Sequence, residues 1–293
     1  MLDSAMMQSM SIDTHQTNAI TVDVEDYFQV SAFESIVDRS NWSDFEFRVE
    51  ANTDRILEIF GETGVTGTFF CLGWVAEKFP SLLQRIAEQG HEIASHGYSH
   101  VQVTNQSRED FRQDIRKTKA LLEDISAQKV VGYRAASFSI TPENPWAHDE
   151  LAAAGHRYSS STYPIRHDRY GAAGQPRFPH QRGESGLIEL PVTPVKIGDS
   201  RFPCAGGGYF RLLPYWYTRW GIRRINRKDG HPVIFYLHPW EIDPDQPRFS
   251  GADRLSRFRH YVNLSGVQRK LRQLLGDFRW STVADVYREH IGS

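Results

Sequence analysis

The sequence predicts an α/β fold built from parallel βαβ units, arranged either as a barrel or as an open doubly wound sheet. Short apolar, β-branched segments alternate with amphipathic segments of helical period through the first half of the chain. Glycines or helix-capping residues stand at the borders between these segments. Polar side chains follow several of the apolar segments, where the strands of such folds carry their functional groups.

The first half of the chain defines its elements clearly. Five strands are expected, at residues 19–24, 65–71, 91–96, 130–134 and 157–158. Four helices are expected between them, at residues 48–60, 74–89, 107–125 and 149–154. The third of these helices begins at Ser107, whose side chain is suited to cap it. The strict alternation favours parallel strands connected by helices.

The second half is less regular. Residues 163–182 are rich in Pro, Gly, Arg and His without a clear period, which predicts a long surface loop. Gly206–Gly208 lacks the strand and helix of a phosphate-binding loop and is predicted to be a flexible turn. The remaining strands and helices are expected at residues 187–190, 216–227, 233–237, 266–275 and 283–290.

The chain of 293 residues is predicted to form one domain over residues 19–293, since no repeat or linker divides it. Residues 1–18 are polar, contain no Lys or Arg, and are predicted to be a flexible tail. They lack the pattern of a signal peptide, and no stretch approaches the ~20 apolar residues of a membrane span. A cytoplasmic location is therefore expected.

Composition narrows the function. With 34 Lys and Arg against 36 Asp and Glu, the formal charge is −2 and gives no reason to expect nucleic acid or an anionic membrane as partner. The two cysteines, Cys71 and Cys204, lie far apart without a CxxC motif, which argues against a thiolate metal site. Any metal site must use carboxylates and some of the 12 histidines.

Three polar clusters follow predicted strands. Acidic residues close the first strand, His96 and His100 follow the third, and His238 ends the strand at 233–237. A single acid or histidine in such a place is more often a turn or core residue. Together, however, two imidazoles and a carboxylate are a common ligand set for catalytic zinc. Parallel strands would bring the clusters to one edge of the sheet.

The motifs then resemble a known family, the polysaccharide deacetylases (carbohydrate esterase family 4, the NodB-homology domain). The similar motifs are Thr21-Val22-Asp23 with Asp26, His96-x-x-x-His100, Gly132-Tyr133-Arg134 and Tyr236-Leu237-His238. Residues 23–28 and 238–243 resemble a subgroup encoded beside bacterial exopolysaccharide and exosortase (PEP-CTERM) loci. The resemblance extends over residues 19–287.

The resemblance implies a distorted (β/α) barrel of about seven strands with inserted loops, and a divalent metal, most often zinc. It implies a metal-dependent N-deacetylase whose partner is an N-acetylated amino-sugar polymer or oligosaccharide. Carried over by motif, His96 and His100 would bind the metal and Asp23 would be the general base. Arg134 would hold Asp23, and His238 would be the general acid.

Departures from the family pattern leave alternatives open. Val24 stands where the family has a second aspartate, so the third metal ligand must be Glu25 or Asp26. Strand alternation places Glu25 on the face of Asp23, whereas a turn could present Asp26. The shorter carboxylate of Asp26 is the preferred ligand, with Glu25 as the alternative.

Two further departures concern the catalytic histidine and its surroundings. Ala136 replaces a family proline, and Ser159 replaces an acidic residue that helps to orient the histidine. Asp168 or Glu241 could supply that charge instead. If neither does, the chain could be a catalytically weakened carbohydrate-binding protein instead of an active deacetylase. A small cyclic amide or ureide hydrolase of the same fold is another alternative.

Substrate contacts are expected from aromatic and basic residues near the motifs. Aromatic rings beside a cleft often stack on sugar faces, although such rings are at least as often packing residues. The expected contacts are Tyr27, Phe28, Tyr163, Arg166 and Trp240.

Overall fold

The computed structural model describes residues 13–167 and 171–292. Within them a nine-stranded sheet forms the centre of the molecule, and a separate hairpin lies beside it. The strands, in chain order, are β1 Asp13–Val24, β2 Thr68–Cys71, β3 Glu92–Ser95, β4 Gly132–Tyr133, β5 Tyr158–Ser159, β6 His180–Arg182, β7 Leu187–Glu189, β8 Val195–Ile197, β9 Ser200–Phe202, β10 Ile234–Leu237 and β11 Phe278–Ser281.

The sheet follows the order β10-β1-β2-β3-β4-β5-β7-β6, and β11 pairs with the first part of β1. Seven strands, from β10 to β7, run parallel in a continuous arc, and β6 adds an antiparallel edge. Among the described residues no strand pairing joins β10 to β6, so the barrel is not closed. The predicted α/β class, with parallel strands connected by helices, is confirmed.

Helices connect the strands, and several of them pack on the sheet. They are α1 Val49–Thr63, α2 Gly73–Lys78, α3 Pro80–Glu88, α4 Arg108–Ser126, α5 Trp146–Ala153, α6 Gly207–Leu212, α7 Tyr215–Arg224, α8 Arg254–Tyr261, α9 Val267–Asp277, α10 Val283–Val286 and α11 Arg288–Ile291. The main apolar core contains side chains of both layers, such as Ile20 and Val22 of β1 with Ile56 of α1. Because side chains alternate along a strand, the neighbouring Asp23 points to the concave side.

Several predicted boundaries are corrected. The tail predicted for residues 1–18 is wrong from Asp13 onward, because β1 begins there and its first part gains backbone partners in β11; residues 1–12 lie outside the described residues. The helix predicted at 74–89 is two helices, since Pro80 starts a new helix and cannot continue the preceding one. The capping role of Ser107 is confirmed by its side chain, which accepts from the Asp110 N–H.

The prediction of a flexible turn at Gly206–Gly208 is wrong, because this segment is held against the sheet. Gly206 forms a backbone bridge with Tyr236, the third residue of β10, and α6 begins at Gly207. Gly206 has φ +117°, and an added Cβ would lie 1.9 Å from the Tyr236 carbonyl oxygen. Only glycine allows this close approach, which joins the irregular segment after β9 to the sheet.

Gly206→Ala is therefore expected to lower the free energy of unfolding by roughly 3 kcal/mol, from backbone strain and steric overlap together. Gly61→Ala provides the matched control, because Gly61 lies in α1 with open space around its Cα. It should raise stability by about 1 kcal/mol. Denaturant unfolding of both variants checks the pair, and equal stabilities would contradict the role given to Gly206.

Within the described part of the chain, no helix has the length and apolar character required to cross a membrane.

Candidate active site

A buried ion pair lies at the carboxyl end of the parallel strands. Arg134, directly after β4, donates to the Asp23 Oδ1 at 2.6 Å and to the Thr21 hydroxyl at 2.8 Å. Its guanidinium also donates to the backbone oxygen and hydroxyl of Ser160 and stacks over the Phe70 ring at 4.0 Å. Both charged side chains are buried, and the contacts fix Asp23 in one orientation. The structure thus brings Asp23 and Arg134 together as the motifs predict.

Three potential metal-binding side chains lie beside this pair. One ligand atom from each of Glu25, His96 and His100 lies within 4.8 Å of the other two, and all three residues are buried. The Nδ1 of His96 is 2.8 Å from the Arg134 carbonyl oxygen, which leaves its Nε2 available to a metal. The Nε2 of His100 is 2.9 Å from the Glu25 Oε2. Two imidazoles and one carboxylate at this spacing suit a divalent cation such as zinc.

The preference for Asp26 as third ligand is corrected by this geometry. Both carboxylate oxygens of Asp26 already accept backbone N–H groups, from Tyr27 on one side and from Arg48 and Val49 on the other. Arg48 and Val49 form the start of α1, where a helix presents free N–H donors. Asp26 therefore anchors the first turn of α1, and Glu25, on the face of Asp23, is the carboxylate that lies beside His96 and His100.

His238 faces the ion pair from the end of β10. Its Nε2 lies 3.8 Å from the Asp23 Oδ2 and 3.7 Å from the Glu25 Oε1. Its Nδ1 lies 2.5 Å from the Glu241 Oε1, and the other carboxylate oxygen of Glu241 accepts from Arg211 at 2.9 Å. Glu241 thus supplies the orienting carboxylate that Ser159 cannot provide. The other candidate for that role, Asp168, lies outside the described residues.

The charges of these groups follow from burial and from one another. Burial opposes ionisation of Glu25, but the adjacent His100 and His238 outweigh it and hold the pKa of Glu25 below its usual range. Burial lowers the pKa of His96 to about 4, which favours the neutral ring that can ligate a metal. Burial also acts against the charge of His238, yet Glu25, Glu241 and Asp23 outweigh it and raise its pKa to about 9.

These side chains line a cavity of about 410 Å³. Three of its lining residues, His100, Ser137 and Phe138, have φ values of 51–53°, a left-handed conformation that is uncommon outside glycine. Such strain persists only where the surrounding structure enforces it, and it is concentrated at functional sites. The strained turn at 137–138 directly follows Ala136, the residue that stands where the family pattern has proline.

The predicted substrate contacts are only partly placed at this cavity. Trp240 lines it and donates its indole N–H to the Glu25 Oε1 at 3.2 Å. Tyr27 and Phe28 do not line it and are buried in an aromatic cluster, where Phe249 stacks on Tyr27 and Phe45 on Phe28. Tyr163 is buried against Phe138. Arg166 is exposed and is not part of the lining.

Some contributors were missed by the sequence reasoning. Ser160 holds Arg134 through two hydrogen bonds, and Ser137 forms part of the cavity wall. Neither residue carries a sequence signal, since isolated serines are common in loops. The sequence offered both Asp168 and Glu241 as the residue that orients His238. The i+3 spacing of Glu241 from His238, which is that of a capping box, is the signal in the sequence that favours Glu241.

The fold and this arrangement define a NodB-type α/β domain with a candidate metal centre. A crystal structure from Mycobacterium smegmatis, provisionally assigned as a polysaccharide deacetylase, has a TM-score of 0.62 at 19% identity and covers 95% of this chain and 92% of that one. The structure of Puue allantoinase has a TM-score of 0.61 at 15% identity, covering 94% and 90%. At these identities the likeness shows the fold alone.

Sequence comparison adds a family signal. Residues 38–159 match the polysaccharide deacetylase model, and residues 160–288 match a domain of unknown function (DUF3473). A peptidoglycan-N-acetylglucosamine deacetylase of Bacillus cereus is 39% identical over 74 residues, 25% of this chain and 27% of the relative. A chitooligosaccharide deacetylase of Sinorhizobium fredii is 26% identical over 102 residues, 35% of this chain and 45% of the relative. The model and these relatives support a polysaccharide deacetylase domain in this chain, which spans less than half of the length of either relative.

Proposed function

We propose that this chain is a divalent-metal-dependent hydrolase that removes N-acetyl groups from the amino-sugar units of a bacterial polysaccharide, an exopolysaccharide or its precursor. The observation that carries the proposal is the position of the buried Asp23–Arg134 pair. On one side of it lie two histidines and a glutamate, and on the other side lies His238. The relatives named for deacetylation of peptidoglycan and chitooligosaccharides support the substrate class.

Glu25, His96 and His100 would hold the metal, which we propose to be zinc. When bound, such a metal supplies Lewis acidity that polarises the acetyl carbonyl and lowers the pKa of a water toward about 7. Asp23 accepts a proton from the attacking water, so that the new C–O bond forms at the carbonyl carbon. Arg134 keeps the Asp23 carboxylate oriented for this transfer.

His238 completes the reaction as general acid. Glu241 and Asp23 favour the protonated ring and so raise its pKa, and Glu241 fixes Nδ1 so that the Nε2 proton points toward the Asp23 side. Transfer of that proton to the amide nitrogen lets the C–N bond break. The products are acetic acid, which ionises to acetate, and a free amine on the sugar. His238 is left neutral and Asp23 protonated, and proton exchange with solvent restores both. The acid and the base therefore serve one reacting centre from neighbouring strands.

The direct test is acetate release from N-acetylglucosamine oligomers by the purified chain. Acetate and new amines should appear in equal amounts, stop after chelation and return on addition of zinc. His96→Ala should remove the activity even with zinc restored. Acetate release that is unaffected by chelation and by His96→Ala would contradict the proposal.

One alternative reaction has an observation in its favour, since the fold matches an allantoinase, a hydrolase of a small ureide. The same groups could hydrolyse a cyclic amide. The cavity, however, shares walls with a neighbouring cavity, as an extended substrate requires. Allantoin turnover at rates above those for N-acetylglucosamine oligomers would favour the alternative.

Glu241→Gln is expected to lower kcat for deacetylation by about 100-fold, because the imidazole loses the carboxylate that orients it and supports its protonated form. KM should change little, since Glu241 does not line the cavity. Metal content should also stay unchanged. Steady-state kinetics with metal analysis check this, and unchanged kcat would contradict the role of Glu241.

A further inference from the structure

Two more cavities lie next to the catalytic cavity, along α8. The middle cavity, about 310 Å³, shares Val30, Ala32, Gly208 and Trp240 with the catalytic cavity. The outer cavity, about 360 Å³, shares Phe258 and Val262 with the middle one. The middle and outer cavities, which we call the α8 groove, therefore lie side by side in a row that starts at the catalytic cavity.

Stacked rings lie between the catalytic cavity and α8. Trp240 stacks on His238, with ring centroids 5.1 Å apart, and on His260 of α8, at 4.1 Å. Arg254 lies six residues before His260, which is about 9 Å along the helix at 1.5 Å per residue. The far end of the α8 groove is thus beyond the sugar that would present its acetyl group to His238. Only a substrate of several units could reach it.

The outer end of the α8 groove is positively charged. Arg248, Arg254 and Arg257 line it together with Phe258, Tyr261 and Val262, and no acidic side chain is part of its lining. Among the residues that the structure describes, none of these three arginines forms an ion pair. The nearest acid in sequence, Asp253, accepts from the N–H groups of Leu255 and Ser256 as helix cap. The three arginines are exposed and no carboxylate lines the groove with them, so its outer end presents a positive field that attracts anions.

We infer that the α8 groove binds the carboxylates of an acidic amino-sugar polymer, on units next to the one that carries the acetyl group. This inference rests on the proposed function for the identity of the catalytic cavity. Guanidinium groups match carboxylates in charge and geometry. Arg254 and Arg257 are one helical turn apart, so their guanidinium groups can contact the same carboxylate, and Arg248 supplies a further cation in the same groove. Phe258, 55% exposed between the two cavities, offers a face for a sugar ring.

The test measures binding separately from turnover. In the Asp23→Asn background, the probes are a hexamer of alternating N-acetylglucosamine and glucuronate and a neutral N-acetylglucosamine hexamer. The triple variant R248Q/R254Q/R257Q should weaken binding of the acidic hexamer about tenfold and of the neutral hexamer less than twofold. Raising the salt concentration to 0.5 M should remove most of this difference, because exposed charge pairs are screened.

The matched control is the triple variant R116Q/R269Q/R279Q, which makes the same change of net charge at exposed arginines outside all three cavities. It should change binding of either hexamer less than twofold. Equal losses for the two triple variants, or equal losses for the two hexamers, would overturn the inference.

Turnover separates this inference from the proposed function. With Asp23 intact, acetate release from the neutral hexamer tests the deacetylase alone. If the neutral hexamer is deacetylated but the acidic hexamer binds no more tightly than the neutral one, the inference about the α8 groove is wrong and the proposed deacetylase function is supported. If the acidic hexamer binds through the three arginines but neither hexamer loses acetate, the proposed deacetylase function is wrong and anion binding in the α8 groove is supported.

Discussion

Asp23→Asn is expected to lower kcat/KM for N-acetylglucosamine oligomers by about 1,000-fold while the metal content stays at the wild-type level. Asparagine keeps the shape of the side chain and can still accept from Arg134, but it cannot take a proton from water. A positioned general base contributes about 10²–10⁴-fold to such reactions. Because Glu25, His96 and His100 are untouched, metal binding should persist.

The control for this variant must separate lost chemistry from lost stability. Asp23→Asn leaves the buried Arg134 without its anion, which should cost about 3 kcal/mol of folding free energy. Asp277 is a similar buried carboxylate, paired with Arg219 at 3.0 Å and bonded to the Tyr215 hydroxyl, outside the catalytic cavity. Asp277→Asn should lower stability and leave kcat/KM within twofold. More than a tenth of wild-type activity in Asp23→Asn would contradict the base assignment.

Replacing the adjacent carboxylates of Glu25 and Asp26 by amides, one at a time, should affect different properties: metal binding for Glu25 and stability for Asp26. Glu25→Gln is expected to weaken metal binding by about 100-fold or more and to abolish deacetylation, because it removes the anionic ligand of the group. Asp26→Asn should keep one metal per chain. It should instead lower the free energy of unfolding by about 1–3 kcal/mol, since an NH₂ group then faces the backbone N–H groups at the start of α1.

Equilibrium dialysis with zinc and denaturant unfolding on the same preparations check this pair of variants. The reverse outcome, with metal lost in Asp26→Asn and kept in Glu25→Gln, would restore Asp26 as the ligand. Loss of metal in both would show that the start of α1 and the metal group are one unit.

The sequence predicted the parts of the fold in which local pattern and tertiary role agree. Strand β1 reads as a buried strand because its apolar residues pack on helices, and the parallel arrangement then brings Asp23 and Arg134 to one edge. The alternation rule also favoured Glu25 over Asp26. Preferring Asp26 overlooked the α1 N–H groups, more than twenty residues later, that bind this carboxylate.

Other features depend on contacts that no local pattern reveals. Tyr27 and Phe28 pack with residues from distant segments, such as Phe249 on Tyr27 and Trp74 on Phe28. Helix α8 has few buried apolar residues and therefore lacks a strong helical stripe, so it was not predicted. The hairpin of β8 and β9 was missed because its strands are only three residues long.

We propose that Glu25, His96 and His100 hold a metal that acts together with Asp23 and His238 at one reacting centre. The most direct measurement titrates zinc into the metal-free chain and follows bound zinc and acetate release from an N-acetylglucosamine tetramer in the same samples. The rate should rise in proportion to bound zinc and reach its plateau at one ion per chain. A metal-free chain that releases acetate at the plateau rate, or a chain that binds one zinc and releases none, would contradict the claim.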